Sequence, residues 1–137
     1  MFENCIYFNS NLLVRKINRI WEIAYSDIGL SPAHGYLLRA VLADPGCRSS
    51  DLAEKLSLAP STISRFVEAL INKGYLEKYK GEDGREIRIN PTKKGIEVKH
   101  RLEAIADSLS RKMNRLIGNA ALNDLNETLR EMEQKIE

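Results

Sequence analysis

SSDLAEKLSLAPSTISRFVEALINKG, residues Ser49 to Gly74, holds two short amphipathic patterns with a tight connection between them. In the first, running to Leu58, Leu52, Ala53 and Leu56 share one face, and Asp51 lies near the positive N-terminal end of a helix, where a carboxylate is favoured. In the second, Pro60 stands at a first helical position, Ile63, Phe66, Val67, Leu70 and Ile71 form the inward stripe, and Gly74 stops the helix. Two short helices so joined are a helix-turn-helix pattern. The stripe leaves Ser61, Thr62, Ser64 and Arg65 outward near the start of the second helix. Hydroxyls bond phosphates or base edges, and a guanidinium grips guanine with two hydrogen bonds, so this face suits a major groove.

Beyond Gly74 the period changes. Leu76 to Lys80 and Arg85 to Asn90 are short Tyr- and Ile-containing runs around the turn-forming stretch Gly81-Glu82-Asp83-Gly84. They predict a two-stranded hairpin, a wing, that holds Lys78, Lys80 and Arg85 beside the second helix. Cations there follow a phosphate backbone, and an arginine at the tip enters a minor groove.

Outward from this segment the chain reads as helix on both sides. Ile6, Leu13, Ile17, Ile20, Trp21, Ala24 and Ile28 recur at helical spacing and end at Gly29. Ser31 and Pro32 cap a second helix bearing Leu37, Leu38, Val41 and Leu42, and Asp44-Pro45-Gly46 breaks the chain. Pro91 and Thr92 open a long helix with Val98, Leu102, Ile105, Leu109, Met113 and Leu116 on one face, up to Gly118 and Asn119. The last helix sets Leu122, Leu125, Leu129, Met132 and Ile136 at alternating steps of three and four, a narrow seam for helix-on-helix pairing that favours dimerisation over packing on its own chain. The expected fold is mainly α with a small β-hairpin wing.

The chain has 137 residues, 43% hydrophobic and 29% charged, which suits one globular domain and is too apolar for disorder. Net charge is only +2, but residues 48–101 carry twelve basic and eight acidic side chains, a local excess of +4. No apolar run approaches the roughly 20 residues of a membrane span, and no basic stretch precedes an apolar signal core, so a cytoplasmic protein without membrane partners is expected. Cys5 and Cys47 lack disulfide-framework or zinc spacing, and His34 and His100 stand apart from other ligands, so neither metal nor cofactor is expected. No Ser-His-Asp, Cys-His, paired-carboxylate or phosphate-loop arrangement points to an enzyme.

Taken in order, Asp51-Leu52-Ala53-Glu54-Lys55-Leu56, Ser61-Thr62-Ile63-Ser64-Arg65, Leu70 with Lys73-Gly74-Tyr75-Leu76, Asp83-Gly84-Arg85 and Thr92-Lys93-Lys94-Gly95 strongly resemble the MarR (multiple antibiotic resistance regulator) winged-helix family. The resemblance covers nearly the whole chain. It implies a winged helix-turn-helix with long N- and C-terminal dimerisation helices: a single domain over 1–137, with about 31–90 as the DNA-binding lobe and about 1–30 and 91–137 as dimerisation helices, Ile6 and Leu13 among their contacts. A homodimer would straddle a palindromic operator on double-stranded DNA and repress transcription. Arg85 would be the wing arginine in the minor groove, with Asp83 bracing it. Trp21, His34 and Tyr36 would line a cleft for a small aromatic or phenolic effector, although core packing is the simpler role for them.

Three positions depart from the family pattern. Gly84 replaces a frequent second arginine and the wing loop is short. Arg48 stands where a capping Thr or Ser is common, which shifts the expected cap to Ser49. Ala59 removes a side-chain cap from the recognition helix, leaving its first amides freer to meet a phosphate. Two other readings stay open. One is an antirepressor-like winged helix that docks a protein and binds DNA weakly and without salt dependence. The other is a thiol-based redox-sensing regulator using Cys5, although the spacing of Tyr7, Tyr25 and Tyr36 from Cys5 does not match the family's peroxide sensors. Cys47 is expected to fill a small apolar position.

Overall fold

A computed structural model describes residues Met1–Glu137. Six helices are arranged along the chain with three short strands: α1 (Ile6–Ser26), α2 (Pro32–Ala43), β1 (Cys47–Arg48), α3 (Ser49–Leu56), α4 (Pro60–Asn72), β2 (Leu76–Lys80), β3 (Ile87–Pro91), α5 (Lys93–Ile117) and α6 (Asn119–Lys135). No helix is long and apolar enough to cross a membrane. The chain divides into two compact units, Met1–Leu102 and Glu103–Glu137, and the division falls inside α5.

The first unit contains the helix-turn-helix and the wing. Its core is built from Leu37, Leu38 and Val41 of α2, Leu52 of α3, Ile63, Val67 and Leu70 of α4, Leu76 and Ile89 of the sheet, and Val98 and Leu102 of α5. Burial of each such side chain contributes about 1.5–3 kcal/mol, enough in sum to hold short helices that would not form alone. Ser31 caps α2 by accepting the His34 N–H (3.2 Å). The third helix stops at Leu56, two residues before the expected Leu58, because Ser57 adopts a left-handed conformation at φ 53°.

The wing is a three-stranded antiparallel sheet in the order β1-β3-β2, where sequence reasoning expects a two-stranded hairpin. The Asp44-Pro45-Gly46 turn brings the chain back along β3: Gly46 donates its N–H to the Ile89 carbonyl (2.9 Å), and Cys47 and Arg48 pair with Ile89 and Arg88. A two-residue strand carries no alternation to read in advance. In β2 and β3, Leu76 faces Pro91 and Lys80 faces Ile87. Pro91 therefore closes a strand and does not open the following helix, which starts at Lys93.

One joint ties the sheet to α5. Thr92 donates its N–H to the Tyr75 carbonyl (3.0 Å) and its hydroxyl to the Gly74 carbonyl (2.5 Å), while its Oγ1 accepts the Gly95 N–H (3.1 Å). A Cβ at Gly95 would lie 2.2 Å from the Tyr75 carbonyl oxygen, so only glycine lets α5 start this close to β2.

Along the apolar positions of α1, Ile17, Ile20, Trp21 and Ala24 are half-buried. Ile6 and Leu13 are exposed, and the only buried residue of the helix is Tyr25, whose ring occupies the space a Cβ at Gly35 would fill. In the second unit, Leu109 and Met113 of α5 are buried, whereas α6 buries no residue: Leu122, Leu125 and Met132 are half-buried, Leu129 is exposed, and Ile136, exposed too, lies just past the end of the helix.

Candidate nucleic-acid interface

Helix α4 presents two chemically different sides. Its apolar residues are turned into the core, which leaves Ser61, Ser64 and Arg65 exposed and Thr62 half-buried on the opposite side. The Arg65 guanidinium lies 3.5 Å from the Thr62 hydroxyl, at the limit of a hydrogen bond, and so is free to turn toward another partner. Ala59 supplies no side-chain cap. Its carbonyl nevertheless accepts the N–H groups of Thr62 (3.0 Å) and Ile63 (3.1 Å), so these two amides are already used, against the expectation that Ala59 leaves the first amides open to a phosphate.

The wing tip is a turn held by its own backbone. Gly84 donates to the Gly81 carbonyl (2.9 Å) with φ 69°, and Gly81 donates to the Glu86 carbonyl (2.8 Å). Asp83 meets the main chain of the arginine, not its side chain: its carboxylate accepts the N–H of Arg85 (3.1 Å) and of Glu86 (3.4 Å). The Arg85 N–H, ahead of that of Glu86, holds the Asp83 carboxyl below the ordinary carboxylate range. The Arg85 side chain is left exposed, as is Lys80. Lys78 is exposed too, yet its Nζ donates to the Glu68 carboxylate across the groove between β2 and α4.

A second ionic cluster, not foreseen in the sequence, anchors the root of the wing. Arg48 and Arg88 face each other across β1 and β3, an arrangement that like charges oppose. Glu86 resolves it by accepting from Arg48 Nη1 (3.2 Å) on one oxygen and from Arg88 Nη2 (3.0 Å) on the other. Arg88 also donates to the Gly46 carbonyl (3.2 Å), and Arg48 grips Asp51 through Nε (3.1 Å) and Nη2 (2.9 Å). Asp51 in turn accepts the Arg48 N–H (3.0 Å), so Arg48 is the residue at the start of α3 and the cap comes from Asp51, not from Ser49. Pairing with Arg48 holds the Asp51 carboxyl below its ordinary value.

The local excess of basic residues thus overstates the charge open to a ligand. Lys73 donates to the Gly29 carbonyl (3.0 Å), and Lys94 donates to the Lys73 carbonyl (2.6 Å) while lying over the Tyr75 ring, 4.4 Å from its centroid. Arg101 donates to the Asp27 carbonyl (2.9 Å). Such roles leave no trace in residue spacing, because each partner is a distant carbonyl.

Away from this face, Trp21 and Tyr36 come together: Trp21 Nε1 donates to the Tyr36 hydroxyl (3.1 Å), and Arg39 lies over the Tyr36 ring. His34 does not join them. Its ring meets Phe66 of α4 edge-on at 4.8 Å, and burial, then the charge of Lys73, lower its pKa from the ordinary value. Cys47 is buried, and burial, ahead of Asp44 and Asp51, raises its thiol pKa, as befits a packing residue. Cys5 is half-buried before α1.

The residues that form this surface, from Leu30 through the wing strand to Ile87, match the family model described as MarR family over 30–87. Over this segment the chain is similar to the MarR family. The chain is 26% identical over 96 residues to YybA, an uncharacterised HTH-type transcriptional regulator of Bacillus subtilis (strain 168), a match that covers 69% of this chain and 64% of that relative. The chain thus spans less than two thirds of that protein's length. Among solved structures, MepR of S. aureus, crystallised as a DNA complex, superimposes with a TM-score of 0.87 at 16% identity, covering 98% of this chain and 100% of MepR. PcaV of Streptomyces coelicolor, a transcriptional regulator in complex with its natural ligand, gives 0.86 at 21% identity, covering 98% and 95%. At such identities the likeness establishes a shared fold: a mostly helical MarR-type winged helix with a small antiparallel sheet.

Proposed function

We propose that this chain is a DNA-binding transcription regulator that acts as a homodimer on an inverted-repeat operator, represses transcription, and is released by a small aromatic ligand. One observation carries the reading: Ser61, Ser64 and Arg65 of α4 are exposed, with their hydroxyls and guanidinium unburied, and the wing that follows carries the unpaired cations Lys80 and Arg85. Hydroxyls and a guanidinium on a helix read a major groove, while cations on a wing hold phosphates or enter the adjacent minor groove.

Dimerisation is supported by apolar surface that the single chain leaves open. Ile6 and Leu13 of α1 are exposed; in the second unit Leu129 of α6 and Ile136 just beyond it are exposed too, and Leu122, Leu125 and Met132 are half-buried. A two-fold dimer presents two recognition helices to half-sites about 34 Å apart, which is why its operator is palindromic. For the effector, Trp21 and Tyr36 offer an aromatic lining, and the neighbouring Tyr25 hydroxyl is buried without a hydrogen-bond partner. His34, packed on Phe66 of α4, belongs to the link between α2 and the recognition helix rather than to that lining. A ligand releases the DNA only if it binds the non-DNA conformation more tightly.

The deciding experiment is titration of the purified protein against genomic fragments, its own upstream region included, at several salt concentrations. Tight, salt-dependent binding to a palindrome is expected. Weak binding indifferent to salt and sequence would instead favour a winged helix that docks another protein.

A further inference from the structure

We infer that Glu68 limits how tightly the wing holds the DNA backbone, by keeping Lys78 paired within the groove between α4 and β2. This rests on the DNA-binding reading above. Glu68 lies one helical turn beyond Ser64 on the exposed side of α4 and is the only acidic residue of that helix. It lines, with Ser49, Ser64, Lys78 and Ile87, a cavity of about 220 Å³ between the recognition helix and the wing. Lys78 Nζ donates to its carboxylate, and both side chains are half-exposed.

The strand geometry makes Lys78 the natural partner of a phosphate. Alternate residues of β2 share a face, so Leu76, Lys78 and Lys80 form a row from the core outward along the groove. Lys80, at the outer end, has no carboxylate within ion-pair distance, whereas Lys78, one step inward, is held by Glu68. An ion pair this exposed is weak in water, so an arriving phosphate competes with the carboxylate for the ammonium. The displaced carboxylate then repels the same phosphate. Glu68 therefore acts against backbone binding twice, as competitor and as like charge.

Phosphate contacts position a protein without reading sequence, so withholding one weakens binding to all DNA alike and leaves base contacts from Ser64 and Arg65 to decide where the protein stays. The partner class is the duplex phosphate backbone, and the residue's role is to hold non-specific affinity down.

The test uses the full chain, wild type and variants, with a labelled random-sequence duplex followed by fluorescence anisotropy from 50 to 200 mM salt. Glu68→Gln is expected to bind more tightly than wild type, with log affinity falling more steeply against log salt by about 0.9, the slope of one further phosphate contact. Its advantage should accordingly shrink about 3.5-fold across that salt range. Adding Lys78→Gln to Glu68→Gln should remove the gain. If Glu68→Gln binds no better than wild type, the pair is only a strut between helix and wing and the inference fails while the DNA-binding reading stands. A gain that survives in the double variant would overturn the role of Lys78. Wild-type protein that binds neither this duplex nor genomic DNA at 50 mM salt would remove the DNA-binding reading itself, and this inference with it.

Discussion

Replacing Gly95 with alanine tests whether the Thr92 joint sets the distance between the wing and α5. The added Cβ would stand 2.2 Å from the Tyr75 carbonyl oxygen and 3.3 Å from Pro91 Cβ. Reaching the 3.4 Å of ordinary contact needs a shift of about 1.2 Å between α5 and β2, and neither obstacle is a rotatable side chain tip. That shift stretches the Thr92 N–H bond to Tyr75, now 3.0 Å. Forced overpacking costs about 1–3 kcal/mol. A weakened buried hydrogen bond adds about 0.5–1.5 kcal/mol. Alanine returns about 1 kcal/mol over glycine in a helix. The balance is a loss of roughly 2 kcal/mol, which for a chain of this size lowers the melting temperature on the order of 5–10 °C. Circular dichroism melts at matched protein concentration measure it, since a dimer's melting temperature depends on concentration. A Gly95→Ala protein that melts at or above the wild-type temperature would refute the reasoning, because it would mean that α5 can retreat from the sheet at no cost.

Three other outcomes are expected. Arg65→Ala should lower operator affinity and flatten sequence preference, whereas Lys80→Ala should weaken all duplexes alike and reduce the salt slope by about 0.9; identical behaviour of the two in a competition assay would refute that division of labour. Because the folded His34 has a pKa below the ordinary 6.5, the unfolded chain takes up the proton first, so stability is fully present above 6.5 and declines as pH falls below it. Melts between pH 7.5 and 5.5 should show a decline in wild type that His34→Gln lacks, and equal declines would rule His34 out. Leu129→Glu should convert a particle of twice the 15.6 kDa chain mass to a single chain in sedimentation; a surviving dimer would remove the α6 seam from the interface.

Much of the interface was legible because helical periodicity and surface chemistry are local. The stripe of Ile63, Val67 and Leu70 dictates that Ser61, Ser64 and Arg65 face outward, and Asp83-Gly84-Arg85 reads as a wing tip without reference to the rest of the chain. What stayed hidden depends on partners far along the chain: Glu86 between Arg48 and Arg88, Lys73 on the Gly29 carbonyl, and Glu68 on Lys78. Helix α1 shows a related limit. An amphipathic pattern marks an apolar face but not what covers it: Ile6 and Leu13, expected at a dimer contact, are exposed in the single chain while Tyr25 takes the one buried place of the helix.

By itself, then, the sequence determined the order of the helices, the β2–β3 hairpin, and the outward chemistry of α4, all products of spacing within a few residues and of capping or turn residues at their ends. Only the tertiary structure decided which cations remain free, that β1 completes the sheet, that Asp51 caps α3, and that His34 turns to Phe66 and away from Trp21 and Tyr36. The physical reason is that an ion pair or a carbonyl contact requires two groups within about 3 Å, a condition set by how elements pack and not by where their residues fall along the chain.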